Sequence, residues 1–167
     1  MQLAYDQFVT VRWTSAIHEE WISSLASNRP DIQTTQLETV RDTINNAVPD
    51  CLISNYESLI STLTLPDDDD RHVLASAIAG ECAYIVTCNL KDFPQTELKK
   101  YGIKATSPDD SLIQLYNVDE VSFRRSVQTV RNPLQHPPKT APDYLNILKK
   151  SGLCRLSAAL APWISDI

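Results

Sequence analysis

Three acidic side chains that lie far apart in the sequence are the strongest candidates for chemistry. They are Glu20, Asp70 and Asp92, and Asp70 is the last of four consecutive aspartates. Hard carboxylate oxygens are the ligands that Mg²⁺ and Mn²⁺ prefer, and these cations can also bind a phosphate oxygen. Because clustered carboxylates repel one another, a cation would be what lets such a group stay charged. If the fold brings the three acids together, we expect a divalent-metal site that acts on a phosphodiester.

Each of these acids also has an ordinary structural explanation. An aspartate that precedes a helix, as Asp70 does, is most often an N-cap. Asp92 and Asn89 could hydrogen-bond their own backbone in a turn. Glu20 stands beside Glu19 on a predicted helix, where glutamates are usually solvated. No single acid is decisive, so the interpretation depends on the order of the acids along the chain.

The elements that must position these acids alternate between strands and helices, and this order indicates a parallel sheet. Asp92 follows an apolar run, 84–88, that predicts a buried strand, and ligand sites in parallel sheets lie at the carboxyl ends of strands. Asp70 precedes an alanine-rich helix over 71–80, whose small residues allow close packing. The other predicted elements are a helical fragment at 1–7, strands at 8–13, 51–53 and 103–106, helices at about 15–29 (capped by Thr14) and 35–48, and a short helix or turn at 94–101.

After Pro108 the pattern predicts helices alone, over about 109–116, 118–130, 140–150 and 153–163. The segment 132–139 is rich in proline, which forbids a continuous helix and favours an extended link. We therefore expect an α/β domain over 1–131, a proline-rich linker over 132–139, and a docked helical hairpin over 140–167.

Composition and charge limit the class of protein. Of the 167 residues, 43% are hydrophobic and 22% are charged, as is usual for a globular domain. The formal net charge of -6 disfavours indiscriminate attraction to nucleic-acid backbones, so any such contact has to be local. No apolar run approaches the roughly 20 residues that span a bilayer, and no signal peptide is evident, which predicts a cytoplasmic protein without a membrane segment. The cysteines lack CxxC spacing, so neither a zinc site nor a disulfide framework is expected.

The acids and their surroundings, taken in chain order, resemble the PIN-domain ribonucleases. The similarity is closest to a subgroup of the VapC-type toxins that carries an extra helical C-terminus. It covers nearly the whole chain, and its most specific motifs are Asp-Arg-His-Val-Leu-Ala at 70–75 and Thr-x-Asn-x-x-Asp-Phe at 87–93. Supporting similarity lies at 13–21, at 65–67, at 101–103 and at 107–110. The resemblance implies an α/β fold with a PIN-like parallel sheet flanked by helices, followed by a C-terminal helical extension.

The same resemblance implies a role for each matching acid. Glu20, Asp70 and Asp92 are implied to be catalytic residues that bind Mg²⁺ or Mn²⁺. The implied supporting residues are Thr87, Asn89, Asp67 and Asp69.

Basic residues close to the acids in the sequence are candidates for RNA binding. Arg71 and Lys91 could contact RNA phosphates, although solvated surface charge is at least as common an explanation for such residues. We assign His72 to helix packing or a hydrogen bond, and not to general-base chemistry.

The activity that the resemblance implies is Mg²⁺-dependent endoribonuclease cleavage by the toxin component of a toxin–antitoxin system. The implied partners are an RNA substrate and an antitoxin protein that covers the acidic site and supplies a basic side chain, and a homodimer is suggested. Two alternatives remain open. One is a DNA-directed nuclease on the same fold, and the other is a catalytically weak protein that acts as a protein-binding module.

One family feature has no counterpart in this sequence. The family begins with an apolar strand that ends in a metal-binding aspartate, whereas Asp6 follows helical residues, so we do not assign Asp6 that role. Without that strand, neighbouring strands would lack a partner for their backbone groups. We expect upstream coding sequence to supply the strand and its aspartate; a truncated gene and a partner that supplies the strand are the alternatives. Three acids alone would give weak metal binding and low activity.

Overall fold

Helices make up most of the chain in the computed structural model, which describes residues 1–134 and 137–167. In chain order the elements are α1 (Gln2–Tyr5), α2 (Ser15–Asn28), α3 (Thr34–Ala47), α4 (Glu57–Ile60), α5 (Arg71–Ala79), β1 (Tyr84–Val86), a 3₁₀ turn (Leu90–Asp92), α6 (Gln95–Leu98), a second 3₁₀ turn (Lys99–Tyr101), β2 (Lys104–Thr106), α7 (Pro108–Val118), α8 (Glu120–Arg131), α9 (Ala141–Lys150), α10 (Cys154–Leu160) and a last 3₁₀ turn (Ala161–Trp163). The mixed α/β class and the helical C-terminal region are confirmed. None of the helices in the described ranges is long and apolar enough to span a membrane.

Side-chain caps define where the longer helices begin. The hydroxyl of Thr14 accepts a hydrogen bond from the amide of Ile17 at 3.2 Å, which confirms the predicted cap of α2. Ser107 caps α7 in the same way, with Pro108 at the first helical position. Thr140 and Asp143 form a capping box at the start of α9. The local sequence therefore fixes the starts of these helices.

The sheet consists of β1 and β2, which pair in parallel with Ile85 opposite Ala105. Helix α5 packs against β1, and both elements contribute residues to the first hydrophobic core. Leu74 and Ala75 of α5 are almost fully buried in this core, together with Leu98 and Ile103. The core holds the end of β1 and the start of α5 in fixed positions, and both carry predicted site residues.

The predicted strand at 8–13 is wrong. Within this segment the structure has a single parallel bridge, between Trp13 and Leu52, and the predicted strand at 51–53 is reduced to the same bridge. Gln7 adopts a left-handed backbone conformation (φ 62°), which redirects the chain after α1. The Phe8 ring then packs edge-on against Phe123 of α8, with 5.8 Å between ring centroids. This contact takes the start of the segment away from the sheet.

The predicted strand at 84–88 forms, but it is shorter and less buried than expected. Ile85 is 6% exposed, whereas Tyr84 is 47% and Val86 54% exposed. Side chains alternate between the two faces of a strand, so the face that carries Ile85 is buried and the other face is open. The strand ends at Val86 because the residues after it enter a side-chain-stabilised turn.

The C-terminal helices form a second hydrophobic core. Phe123 and Leu160 lie at its centre, and Leu3 and Phe8 from the N-terminal segment pack against it. The carboxylate of Asp109 at the start of α7 accepts hydrogen bonds from the backbone amides of Arg155 (2.8 Å) and Leu156 (2.9 Å). This contact attaches the first turn of α10 to α7.

The predicted division of the chain at 132–139 stays a prediction. The second core draws on helices from both sides of this segment. Residues 135 and 136 of the predicted linker lie outside the described residues.

Candidate metal centre

Three aspartate carboxylates converge beside the first core. One oxygen each from Asp67, Asp70 and Asp92 lie within 4.8 Å of one another. Asp67 is exposed, Asp70 is half-buried and Asp92 is buried. The group, called here the aspartate cluster, contains two of the acids that the sequence ranked first and one that it ranked as supporting.

Asp70 occupies the N-cap position of α5 but does not act as a cap. Its side chain makes no capping hydrogen bond, while its carbonyl oxygen accepts one from the amide of Val73 at 3.0 Å. The usual structural explanation for an aspartate at this position therefore does not apply. Asp67 is held by a short turn, in which its Oδ1 accepts a hydrogen bond from the amide of Asp69 at 3.0 Å.

Asp92 is positioned by the turn that follows β1. The hydroxyl of Thr87 accepts a hydrogen bond from the amide of Asn89 at 3.0 Å, and this starts the turn. The side-chain amide of Asn89 then donates a hydrogen bond to Oδ2 of Asp92. The Thr-x-Asn-x-x-Asp pattern is thus a single local unit that presents one buried carboxylate at the end of β1.

The electrostatics of the cluster favour a bound cation. Burial raises the pKa of Asp70, and the negative charges of Asp67, Asp92 and Glu20 raise it further, while His72 acts in the opposite direction. No lysine or arginine among the described residues forms an ion pair with a member of the aspartate cluster. Within the described chain, His72 is therefore the basic side chain that offsets part of the repulsion, and no lysine or arginine does so through an ion pair. A donor set of hard carboxylate oxygens with uncompensated charge fits a divalent cation such as Mg²⁺ or Mn²⁺.

Glu20 lies next to the aspartate cluster but is not a member of it. Its Oε1 lies 2.8 Å from Nε2 of His72, so α2 and α5 are joined by this pair. The side chain of Glu20 is 60% exposed, whereas that of His72 is only 13% exposed. The assignment of His72 to helix packing or a hydrogen bond, and not to general-base chemistry, stays a prediction. A cleft of about 570 Å³, lined by Glu19, Glu20, Ser23 and His72 among others, opens beside the pair.

The remaining predicted site residues lie around the cluster. The Arg71 guanidinium pairs with Asp68, with 2.6 Å between Nη2 and Oδ2. Lys91 is exposed and adjoins Asp92 in the 3₁₀ turn. Asp69 is exposed and contributes its backbone amide to the turn, not its carboxylate to the cluster.

Asp67, which the sequence placed among the supporting residues, lies with Asp70 and Asp92 in the aspartate cluster. Asp67 follows Leu65, which is 5% exposed and packs in the first core. This apolar residue is the local sequence signal for the position of Asp67, which itself is exposed.

Comparison with known families assigns the fold to the PIN-domain proteins. The family described as "PIN domain" matches residues 1–91, more than half of the chain, and the chain belongs to this family. Residues 108–162 match a second family, described as "VapC50 C-terminal domain". The predicted similarity to VapC-type proteins with a helical C-terminus is confirmed.

One curated relative supports the same assignment. The chain is 34% identical over 103 residues to a protein of Mycobacterium tuberculosis (strain ATCC 25618 / H37Rv) named "Putative ribonuclease VapC50". The matched region covers 62% of this chain and 60% of the length of that relative. No solved structure matches the chain.

Proposed function

We propose that this protein is a Mg²⁺- or Mn²⁺-dependent endoribonuclease and the toxin component of a toxin–antitoxin system. The observation that carries this proposal is the convergence of Asp67, Asp70 and Asp92, none of which forms an ion pair with a described lysine or arginine. Membership of the PIN-domain family and the name of the mycobacterial relative support RNA as the substrate.

In this proposal the aspartate cluster binds the cation directly. Asn89 keeps Oδ2 of Asp92 in one orientation, and Thr87 holds the turn that carries Asn89. Glu20 adds negative charge beside the cluster. When bound, a divalent cation supplies a Lewis acid that activates water and offsets charge on the scissile phosphate.

Arg71 and Lys91 are proposed to contact RNA phosphates. Each adjoins a member of the aspartate cluster in the sequence, so each could hold a phosphate close to the scissile one. The net charge of -6 makes such local contacts necessary, because the overall field repels RNA. Arg71 would have to share its guanidinium between Asp68 and RNA.

The proposed protein partner is an antitoxin with a basic side chain that enters the acidic site. An uncompensated carboxylate cluster is complementary to such a group, which would occupy the place of the cation. With RNA as the substrate, we place the activity in the cytoplasm. A homodimer is also proposed, and light scattering after gel filtration tests it directly.

The test is cleavage of labelled RNA and labelled DNA with Mg²⁺ or Mn²⁺, repeated with EDTA. We expect cleavage of RNA that EDTA abolishes and that Asp70→Asn lowers by at least about 100-fold. Asp50→Asn is the matched control, since Asp50 is exposed and its side chain makes no ion pair with the described residues.

The other outcomes overturn all or part of the proposal. Cleavage of DNA alone would show that the protein is a DNA-directed nuclease. Full activity of Asp70→Asn would show that Asp70 is not a site residue. Absence of any cleavage by a folded protein that binds an antitoxin would favour the protein-binding module.

A further inference from the structure

The pair formed by Glu20 and His72 has features that an ordinary surface ion pair lacks. A long exposed side chain usually samples several rotamers, and an exposed pair typically contributes little to stability. Here one partner is a ring that is only 13% exposed, packed at the start of α5. The acceptor Oε1 of Glu20 lies 2.8 Å from its Nε2. The orientation of the pair is therefore set by the buried partner.

The Nδ1 atom of His72 is buried and has no hydrogen-bond partner within the described ranges, which leaves the contact of Nε2 with Glu20 as the polar contact of the ring. A buried polar atom without a partner is costly, so another side chain at this position would avoid that cost. The histidine gains in exchange an ion-pair contact of Nε2 with the Glu20 carboxylate, 2.8 Å away. This trade is expected where the position of the acceptor matters more than local stability.

Two observations locate Glu20 beside the aspartate cluster. Its contact residue His72 lies in the first turn of α5, two residues after Asp70, and the negative charge of Glu20 raises the pKa of Asp70. Glu20 also lines a cleft together with Ser23 and His72. Apart from His72, no described residue forms an ion pair or hydrogen bond with the Glu20 carboxylate. His72 is therefore the described residue that holds this carboxylate.

We infer that His72 is a positioning residue, which holds Oε1 of Glu20 and so keeps this carboxylate beside the aspartate cluster. The inference rests on the proposed function, because it assumes that the cluster binds a divalent cation. His72 acts on that cation through Glu20 and has no contact with it. Residues that orient ligands in this way typically change metal affinity by about 10- to 100-fold when they are replaced.

The test is Mn²⁺ binding by isothermal titration calorimetry to purified full-length variants. His72→Leu removes the donor and should raise the Kd for Mn²⁺ about tenfold, whereas His72→Gln can still donate to Glu20 and should stay within about threefold. The decisive comparison is made in a Glu20→Gln background, where His72→Leu should have no further effect because the charge that it positions is gone. Thermal unfolding in EDTA checks that every variant folds.

If His72→Leu does not fold, His72→Asn takes its place, because its shorter amide is polar but does not reach Glu20. The inference is overturned if a folded variant without the donor binds Mn²⁺ as the wild type does. It is also overturned if the loss of affinity is equally large in the Glu20→Gln background, because His72 would then act through general packing.

Asp70→Asn, measured in the same series, separates this inference from the proposed function. If Asp70→Asn binds Mn²⁺ with wild-type affinity, the aspartate cluster is not the metal site and the proposed function is refuted. If Asp70→Asn loses affinity for Mn²⁺ but His72→Leu does not, only the role inferred for His72 is refuted.

Discussion

The side-chain amide of Asn89 donates a hydrogen bond to Oδ2 of Asp92, and both residues lie in the turn that ends β1. Asp92 is buried, and this amide takes up one of its two oxygens. This contact within the turn links an exposed asparagine to the most buried acid of the aspartate cluster.

Asn89→Ala should weaken Mn²⁺ binding by about 10- to 100-fold, because Asp92 loses the contact that orients it. Titration calorimetry measures the change. The matched control is Asn46→Ala on α3, since Asn46 is exposed and no side-chain hydrogen bond of Asn46 is observed in the described chain. Equal affinity of Asn89→Ala and Asn46→Ala would show that Asp92 is held by other contacts.

Asp70→Asn should make the metal-free protein more stable. The raised pKa of Asp70 means that its ionisation disfavours the folded state, so the cost is present at pH 7 and disappears as the pH falls below the ordinary value of 3.8. The substitution also loses no capping hydrogen bond, because the Asp70 side chain makes none. We expect Tm in EDTA to rise by about 2–4 °C at pH 7, with no rise near pH 3.

In saturating Mn²⁺ the wild type should be more stable than Asp70→Asn, because only the wild type gains stability from binding the cation. Differential scanning calorimetry in EDTA and in Mn²⁺ gives both comparisons. A wild type that is already more stable than Asp70→Asn in EDTA at pH 7 would contradict the electrostatic account. Asp68→Asn is the control from the same acidic run, and Mn²⁺ should stabilise it as it does the wild type.

Asp109→Ala should destabilise the protein by about 1–3 kcal/mol without changing Mn²⁺ affinity. The change leaves the backbone amides of Arg155 and Leu156 without their charged acceptor at the first turn of α10. Urea unfolding measures the loss. Arg155→Ala is the control, because it removes only an exposed ion pair with Asp110 and should cost less than about 1 kcal/mol. Similar losses in both variants would mean that the amide contacts contribute little.

Asn45→Ala should cost about 2–4 kcal/mol, because Trp13 and His18 lose their acceptor, as does the thiol of Cys51. Trp21 donates to Nδ1 of His18 at 2.9 Å, so the neutral ring carries its proton on Nε2 and donates to Oδ1 of Asn45 at 2.9 Å. Trp13 donates to the same oxygen at 2.8 Å. Urea unfolding measures the stabilities of Asn45→Ala and of Asn46→Ala, which changes an exposed neighbour. Equal stabilities would show that the hydrogen bonds to Asn45 contribute little.

Local signals in the sequence predicted much of the fold and part of the site. Thr14 caps α2 as expected, and the alanine-rich segment forms α5. The turn from Thr87 to Asp92 forms as one unit because all its contacts lie within a few residues. Features of this kind depend on neighbouring residues in the chain, so the sequence pattern predicts them.

Features set by distant contacts could not be predicted in the same way. The β-branched run after Phe8 looks like a strand, but the contact of Phe8 with Phe123 draws it toward the helical core. Glu20 was expected in the metal-binding group, yet it pairs with His72 and stands outside the aspartate cluster. Both outcomes depend on which surfaces meet in three dimensions, and residue type alone does not decide that.

The central claim is that Asp67, Asp70 and Asp92 together bind one divalent cation. Crystals soaked in Mn²⁺ and measured at the manganese absorption edge test it most directly, because the anomalous signal locates the ion without reference to activity. We predict one anomalous peak about 2.1 Å from an oxygen of each aspartate. A soaked crystal with no peak at the aspartate cluster, or with its manganese bound elsewhere, would contradict the claim.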